Sequence, residues 1–152
     1  MNTYSQLLYY IKSLGDNDVF VNTVTQNVGA DLDTYKGNIF PILNIDVTGS
    51  SYPAASLISY TIELTCINLR DINKTIDRDK FFSNDNEVDN MNECQAVLNR
   101  IWLYMLRDFA NNNITASDNP SVSPIVFEGK NVYDGWTLTF DVEVPKTTIS
   151  IC

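Results

Sequence analysis

Two segments of the chain alternate strictly between apolar and polar residues. In Leu57–Leu69 every second residue from Ile58 to Cys66 is apolar, and residues 136–144 repeat the pattern from Trp136 onward. Because successive side chains of a β-strand point to opposite faces, each segment predicts a strand with one buried face and one face in water. Strands of a doubly wound parallel sheet are apolar on both faces, so the alternation favours an antiparallel or mixed sheet.

Two other segments carry apolar residues at helical spacing. Residues 4–14 predict a short amphipathic helix, with Gly15 as its left-handed end. Residues 88–109 keep the spacing for about six turns and predict the main helix, which residues 111–113 end. Residues 18–25 and 39–48 predict two further strands, the second with Pro41 at an edge or a strand start. Residues 48–53 predict a turn and residues 117–124 a long loop.

This order of elements predicts a single α+β domain over residues 1–152. We expect an antiparallel or mixed sheet of about four to five strands, with both helices packed on its one apolar face. Trp136, Leu138 and Phe140 are expected to pack against the long helix near Trp102. Residues 146–152 are expected to form a short extension.

The chain contains no histidine, which removes the usual general base and metal ligand. Its three cysteines form no CxxC pair, and we expect reduced thiols with no zinc site. Ten basic and nineteen acidic residues give a net charge of −9, so the surface as a whole repels phosphate. With no long apolar run and no basic leader, we expect no membrane partner. We also expect no cofactor, since the six glycines are scattered and form no phosphate-binding loop.

Closely spaced carboxylates are the candidates for metal or acid–base chemistry. The groups are Asp16 with Asp18, Asp31 with Asp33, Asp77 with Asp79, Asp85 with Glu87 and Asp89, and Asp141 with Glu143. The first four groups are predicted in solvated loops. Asp85, Glu87 and Asp89 alternate as calcium ligands do, but the glycine that follows them in a calcium loop is missing. Asp141 and Glu143 are predicted on the wet face of a strand with no cleft around them. Cys94, on the apolar stripe of the main helix, is predicted to be a core thiol.

One stretch resembles a known group of proteins. The segment Asn131-Val-Tyr-Asp-Gly-Trp-Thr-Leu-Thr-Phe-Asp-Val-Glu-Val-Pro145 is similar to the end of small tail-terminator or tail-completion proteins from phages of the Bacteroides group. Those proteins often close with an Asn/Asp-x-x-x-Gly-Trp turn and an alternating strand that stops at Pro. Upstream, Phe40-Pro-Ile-Leu-Asn-Ile-Asp46, the strand 59–69 and the helix 87–109 follow in the same order, so the resemblance covers about residues 4–145. The Asn-rich loops and residues 146–152 depart from it.

The resemblance implies a structural virion protein and no enzymatic activity. It implies a ring at the head–tail junction or the top of the tail of a tailed phage, including the crAss-like group, with DNA passing through the channel. The implied partners are further copies of the chain and other phage head–tail or tail proteins, assembled in the host bacterial cytoplasm, with no sequence-specific nucleic acid. The alternatives are a connector or baseplate adaptor ring, a carboxylate-based enzyme and an acidic DNA-mimic inhibitor.

A ring subunit requires contacts with its neighbours. Ile149 and Ile151 are spaced for one face of a strand, and we expect residues 146–152 to occupy a sheet edge or groove of the adjacent subunit. The polar loops 30–38 and 112–124 are expected to reach the rings above and below. The candidate interface residues are Ile149, Ile151, Asp31, Asp33, Tyr35, Asn112, Asn113 and Ser121.

Overall fold

A computed structural model describes residues 4–26, 39–71, 86–112, 114–117, 119–128 and 132–145. The elements are α1 (Tyr4–Asp16), β1 (Thr23–Gln26), β2 (Ile42–Ala54), β3 (Leu57–Leu69), α2 (Glu87–Ala110), β4 (Thr115–Ala116), β5 (Ser121–Glu128) and β6 (Tyr133–Pro145). The predicted α+β class is confirmed: the described residues form two helices and one mixed sheet of six strands.

The sheet is built around the antiparallel pair of β3 and β6, which stay in register along all 13 residues of each strand. On the other side of β3, β2 pairs antiparallel, and β1 then adds to β2 in parallel. Both β4 and β5 pair with the remaining edge of β6, β4 near Val142 and β5 near Leu138. The order across the sheet is therefore β1, β2, β3, β6 and then β4 with β5.

The sheet has more strands than predicted because part of the predicted loop 117–124 is paired. From Ser121 onward this segment is β5, and the loop prediction is wrong there. Pro124 fits an edge strand, which tolerates a missing backbone donor. The predicted turn at 48–53 is also wrong, since β2 continues to Ala54 and the hairpin turns at residues 55–56. Of the predicted strand 18–25, only Thr23 and the residues after it are extended.

Both helices pack on one face of the sheet, as predicted. The core joins Leu7 and Ile11 of α1 to the inner face of α2 and to the apolar positions of β2, β3 and β6. Phe140 is buried, and its ring meets the Trp102 ring edge-on with the centroids 5.0 Å apart. Trp136 is half-buried and donates a hydrogen bond of 2.8 Å from Nε1 to the Met91 carbonyl oxygen. The expected contact between this strand and the long helix is therefore confirmed.

Two glycines mark places where neighbouring atoms leave no room for a side chain. A Cβ on Gly15 would lie 2.7 Å from Leu43 Cδ2, so this glycine lets α1 pack on the sheet. The prediction that Gly15 ends the helix in a left-handed conformation is wrong, because α1 continues through Asp16. A Cβ on Gly135 would lie 1.9 Å from the Cys66 carbonyl oxygen, so β6 presses against β3 at this point. Gly135 lies inside β6, and the positive φ of 49° before the strand belongs to Val132.

A buried ion cluster joins the ends of β3, β6 and α2. Arg70 donates from Nε to Asp134 Oδ2 at 2.9 Å and from Nη2 to Asp134 Oδ1 at 2.7 Å. The same Nη2 lies 2.8 Å from Glu87 Oε2. The Asp134 side chain is fully buried, and the buried Asn90 of α2 donates to the Leu69 carbonyl oxygen at 2.9 Å. Among the described residues every buried side-chain nitrogen and oxygen has a hydrogen-bond partner.

A second ion pair corrects one prediction about the carboxylates. Asp18 was predicted to be a solvated loop residue, but its side chain is only 6% exposed and receives two hydrogen bonds from Arg100, at 2.8 and 2.9 Å. Burial raises the Asp18 pKa, but the bonds from Arg100 and from the Phe20 backbone N–H together lower it by more. The pKa of Asp18 in the folded protein is therefore below its ordinary value.

We expect Asp134→Asn to lower the free energy of unfolding by about 3–5 kcal/mol, because it leaves the Arg70 charge buried without its bidentate partner. Urea denaturation followed by circular dichroism measures the change. Glu93→Gln, an exposed change on α2, is the control and should stay within about 0.5 kcal/mol of wild type. Equal stability of the two variants would show that the cluster does not hold these elements together.

Gly135→Ala should destabilise the protein by about 3 kcal/mol, because the new methyl group collides with the β3 backbone. Gly49→Ala is the matched control, since a Cβ there has its nearest neighbour, Thr61 Oγ1, at 3.9 Å. That variant should be neutral or slightly more stable, because alanine lowers the entropy of the unfolded chain. Thermal unfolding separates the two, and a tolerated Gly135→Ala would contradict the close approach of the strands.

Stability should fall in acid partly through Asp18. A carboxyl whose folded pKa lies below its unfolded value, about 3.9, contributes stability that is complete above that value. The contribution is lost as the pH falls through the folded pKa. We therefore expect Asp18→Asn to be less stable than wild type at pH 6 and to approach it as the pH falls to about 2. Urea denaturation across this range measures it, and a constant difference would contradict the assignment.

Candidate functional site

The carboxylates that are candidates for catalysis or metal binding lie in separate parts of the structure where it describes them. Asp16 forms an ion pair with Lys12, Glu87 belongs to the Arg70 cluster, and Asp89 is exposed on α2. Asp31, Asp33, Asp77, Asp79 and Asp85 lie outside the described residues. In the described ranges no three His, Cys, Asp or Glu side chains lie together as a metal site would require. No helix there is long and apolar enough to cross a membrane.

The two cysteines in the described ranges are core residues. Cys94 is fully buried, as predicted, and so is Cys66; both are free thiols. A hydrogen bond with Cys94 and burial together raise the pKa of the Cys66 thiol well above its ordinary value. This thiol is therefore protonated near neutral pH, in a place that solvent does not reach, and it is not suited to act as a nucleophile.

The sheet face opposite the helices has a buried apolar cluster of Ile42, Ile67 and Tyr133 at one end and a group of carboxylates beyond it, and we call the part with the carboxylates the acidic face. It carries Asp46, Glu63, Asp141 and Glu143 among threonines and serines of β2, β3 and β6. Asp46 and Glu63 are direct cross-strand partners, an arrangement of like charges that disfavours strand pairing. Asp141 accepts a hydrogen bond of 2.6 Å from Thr61, and Asp46 one of 2.9 Å from Asn44.

No described lysine or arginine forms an ion pair with these four carboxylates. Lys12, Arg70, Arg100 and Arg107 pair instead with carboxylates at Asp16, Asp18, Glu87, Asp108 and Asp134. The acidic face therefore presents negative charge that described cations of the same chain do not neutralise. The prediction that Asp141 and Glu143 lie on the wet side of their strand is confirmed, with Asp141 exposed and Glu143 partly exposed.

On the opposite side of the molecule, α2 turns an uncharged surface outward. Exposed residues at spacings of three and four run along this 24-residue helix, and we call them the uncharged stripe: Val88, Asn92, Gln95, Ala96, Asn99, Leu103, Leu106 and Ala110. Leu103 is 56% exposed and Val88 50%. The outer face of an amphipathic helix is ordinarily rich in charged residues, and depletion of charge with exposed leucine is typical of a protein interface.

A groove of about 430 Å³ separates the uncharged stripe from β5, and we call it the β5 groove. Asn92, Gln95 and Asn99 line its helix side. Trp102 and Leu138 also line it, together with Pro120 and Val122 beside them. Val122 is 43% exposed, and among the described strands β5 has β6 as its neighbour, so its outer edge is open there. The groove thus combines an open strand edge with amide and apolar side chains.

Two of the candidate interface residues predicted from the sequence, Ser121 and Asn112, lie among the described residues. Ser121 is exposed as the first residue of β5, in a strand and not in the predicted loop. Asn112 is exposed after α2, where its Nδ2 donates to the Asp108 carbonyl oxygen at 2.8 Å. Asn113, Ile149, Ile151, Asp31, Asp33 and Tyr35 lie outside the described residues. Sequence reasoning missed the uncharged stripe, although the lack of charge at helical spacing was visible.

Comparison of the sequence with models of known protein families found no match, and comparison with curated proteins found none. Function is therefore inferred from the acidic face, the uncharged stripe and the β5 groove.

Proposed function

We propose that this chain is a structural subunit of a ring in the particle of a tailed phage, at the head–tail junction or the top of the tail. The acidic face is the observation that carries the proposal. A channel for DNA must let the polymer slide without holding it, and a negatively charged lining repels phosphates. The acidic face meets that requirement, since four carboxylates stand there without cations from the described residues.

Ring closure requires contacts between two different surfaces of the same subunit. The uncharged stripe of α2 is one such surface. The outer edge of β2 beyond Ile45 is another, because β1 pairs only with its first residues and no described strand covers the rest. An open strand edge presents unpaired backbone groups to a neighbour. A ring subunit that joins these unlike surfaces head to tail leaves its acidic face free for the channel.

The end of the β2–β3 hairpin is a further contact surface. Residues 48–56 are all exposed, and Tyr52 stands out with 71% exposure. A hairpin end with an exposed aromatic side chain is suited to bind a different protein in the next layer of the particle, because tyrosine supplies contact area at low entropic cost. The partners are thus further copies of this chain and other head–tail or tail proteins, and the chain carries out no reaction. A connector or baseplate adaptor ring would use the same surfaces.

A DNA-mimic inhibitor is the second candidate, and the acidic face also favours it. Asp46 and Glu63 extend the pair Asp141 and Glu143 across three strands of the same face. Such a face can occupy a cationic groove of a DNA-binding protein. The two functions differ in location: a ring subunit is a stoichiometric component of purified virions, whereas an inhibitor is found in the infected cell and not in the particle.

Charge on the acidic face should control passage of DNA. We expect phage carrying Asp141→Lys with Glu143→Lys to assemble the ring but to lose most of its infectious titre per particle, because the introduced lysines attract phosphate. The matched control, Asp141→Asn with Glu143→Gln, should fold and assemble normally and retain the titre. Plaque assays, mass spectrometry of virion proteins and cryo-electron microscopy provide the measurements. Peptides of this chain missing from purified wild-type virions, or equal titres of the two variants, would contradict the proposal.

A further inference from the structure

We propose that α2 is a self-association surface, on which two copies of the free chain pair antiparallel about a two-fold axis. Each copy covers the uncharged stripe of the other. A two-fold contact uses the same patch on both partners, so the patch must be complementary to itself when it is turned end for end. The charges beside the stripe meet this condition.

Four charged side chains follow one flank of the uncharged stripe: Asp89, Glu93, Arg100 and Arg107. Their separations along the chain are four, seven and seven residues. At 3.6 residues per turn they fall within about 40° of one another around the helix axis. Both acidic residues lie in the first half of α2 and both arginines in the second. The flank is therefore negative at one end and positive at the other.

An antiparallel pair brings these opposite charges together. Two-fold symmetry keeps the same flank of both helices on the same side of the contact, so the acidic half of each flank faces the basic half of the other. With Asp89 of one copy opposite Arg107 of the other, Glu93 comes within about one turn of Arg100 of the other copy. A parallel pair would instead place acid against acid and base against base.

The charged groups on this flank have capacity for such contacts. Asp89 and Glu93 are exposed, and no described lysine or arginine forms an ion pair with either. Arg100 donates through Nε and Nη2, and Arg107 through Nε, to carboxylates of their own chain. A guanidinium group has five N–H donors, so each arginine keeps donors for a carboxylate of another copy.

The same register packs the uncharged stripes against each other. Leu103 of each copy lies opposite Ala96 of the other, and Leu106 lies opposite Val88, each to within about one turn. Asn99, in the middle, comes close to Asn99 of the other copy, where two amides can form hydrogen bonds with each other. The contact thus buries exposed leucines without burying an unpaired charge.

The size of the stripe indicates a reversible dimer. It runs from Val88 to Ala110, about 33 Å along the helix. A strip of this length on one helix buries less than the roughly 800 Å² per partner of a typical stable interface. The inference goes beyond the proposed ring, since it concerns the free chain. A ring that uses the stripe requires this dimer to dissociate first.

Analytical ultracentrifugation of the purified full chain measures the dimer. We expect the dimer fraction to rise as the concentration increases from about 1 μM to about 1 mM. Leu103→Asp should raise Kd about tenfold, because a carboxylate would be buried in the contact. Tyr52→Asp, at the exposed end of the β2–β3 hairpin, is the matched control and should leave Kd unchanged. A chain that stays monomeric, or equal effects of the two variants, would overturn the dimer.

Charge reversal tests the antiparallel register. Asp89→Arg and Arg107→Glu should each weaken the dimer about tenfold, because each creates two repulsive pairs across the axis. An equimolar mixture of the two variants should associate about as tightly as wild type, since opposite charges then meet at both places. Circular dichroism checks that both variants are folded. A mixture that associates no better than either variant alone would refute the antiparallel contact.

The dimer and the ring can fail separately. The dimer is measured on the purified chain, whereas the ring is judged by copies of the chain in virions. A dimer with the expected variant effects but no copies in virions would refute the ring alone. A virion ring built from a chain that stays monomeric when purified would refute the dimer alone.

Discussion

The bidentate contact between Arg70 and Asp134 is the constraint on which the rest of the structure depends. It fixes the end of β3 to the start of β6, and through Glu87 it fixes the start of α2 to both. β3 and β6 form the central pair of the sheet and α2 is the longest helix of the described chain, and all three contribute buried residues to the core. A buried pair of charges is tolerated only when all its hydrogen bonds are made in one geometry, so the cluster selects a single register for β3 and β6.

The sequence predicts the elements whose pattern is local. The alternation in Leu57–Leu69 gives the bounds of β3, and the helical spacing around Cys94 and Ile101 identifies α2 and its buried side. Edges and ends are predicted less well, because packing between distant segments decides them. Gly15 resembles a helix stop in sequence. A glycine is needed there because the Leu43 side chain, which is distant in the chain, leaves no room for a Cβ. β5 resembles a loop because serine and proline are common in loops, and only pairing with β6 makes it a strand.

The surfaces that carry the functional proposal were predicted only in part. Asp141 and Glu143 were placed on a wet strand face, but that Asp46 and Glu63 share this face depends on the register of three strands. A single sequence gives no such register. Ser121 was selected as a loop residue, and it borders the β5 groove because β5 pairs with β6. The ion clusters around Arg70 and Arg100 were missed for the same reason, since their partners are distant in the chain.

Two features of the described surface are unfavourable for an isolated chain in water. Asp46 stands opposite Glu63, which places like charges together, and the outer side of α2 exposes Leu103 and Leu106 in a protein with a net charge of −9. Both features are explained together if the uncharged stripe is covered by a neighbouring protein while the acidic face remains open to an anionic polymer. A ring around DNA places both surfaces in those environments at once.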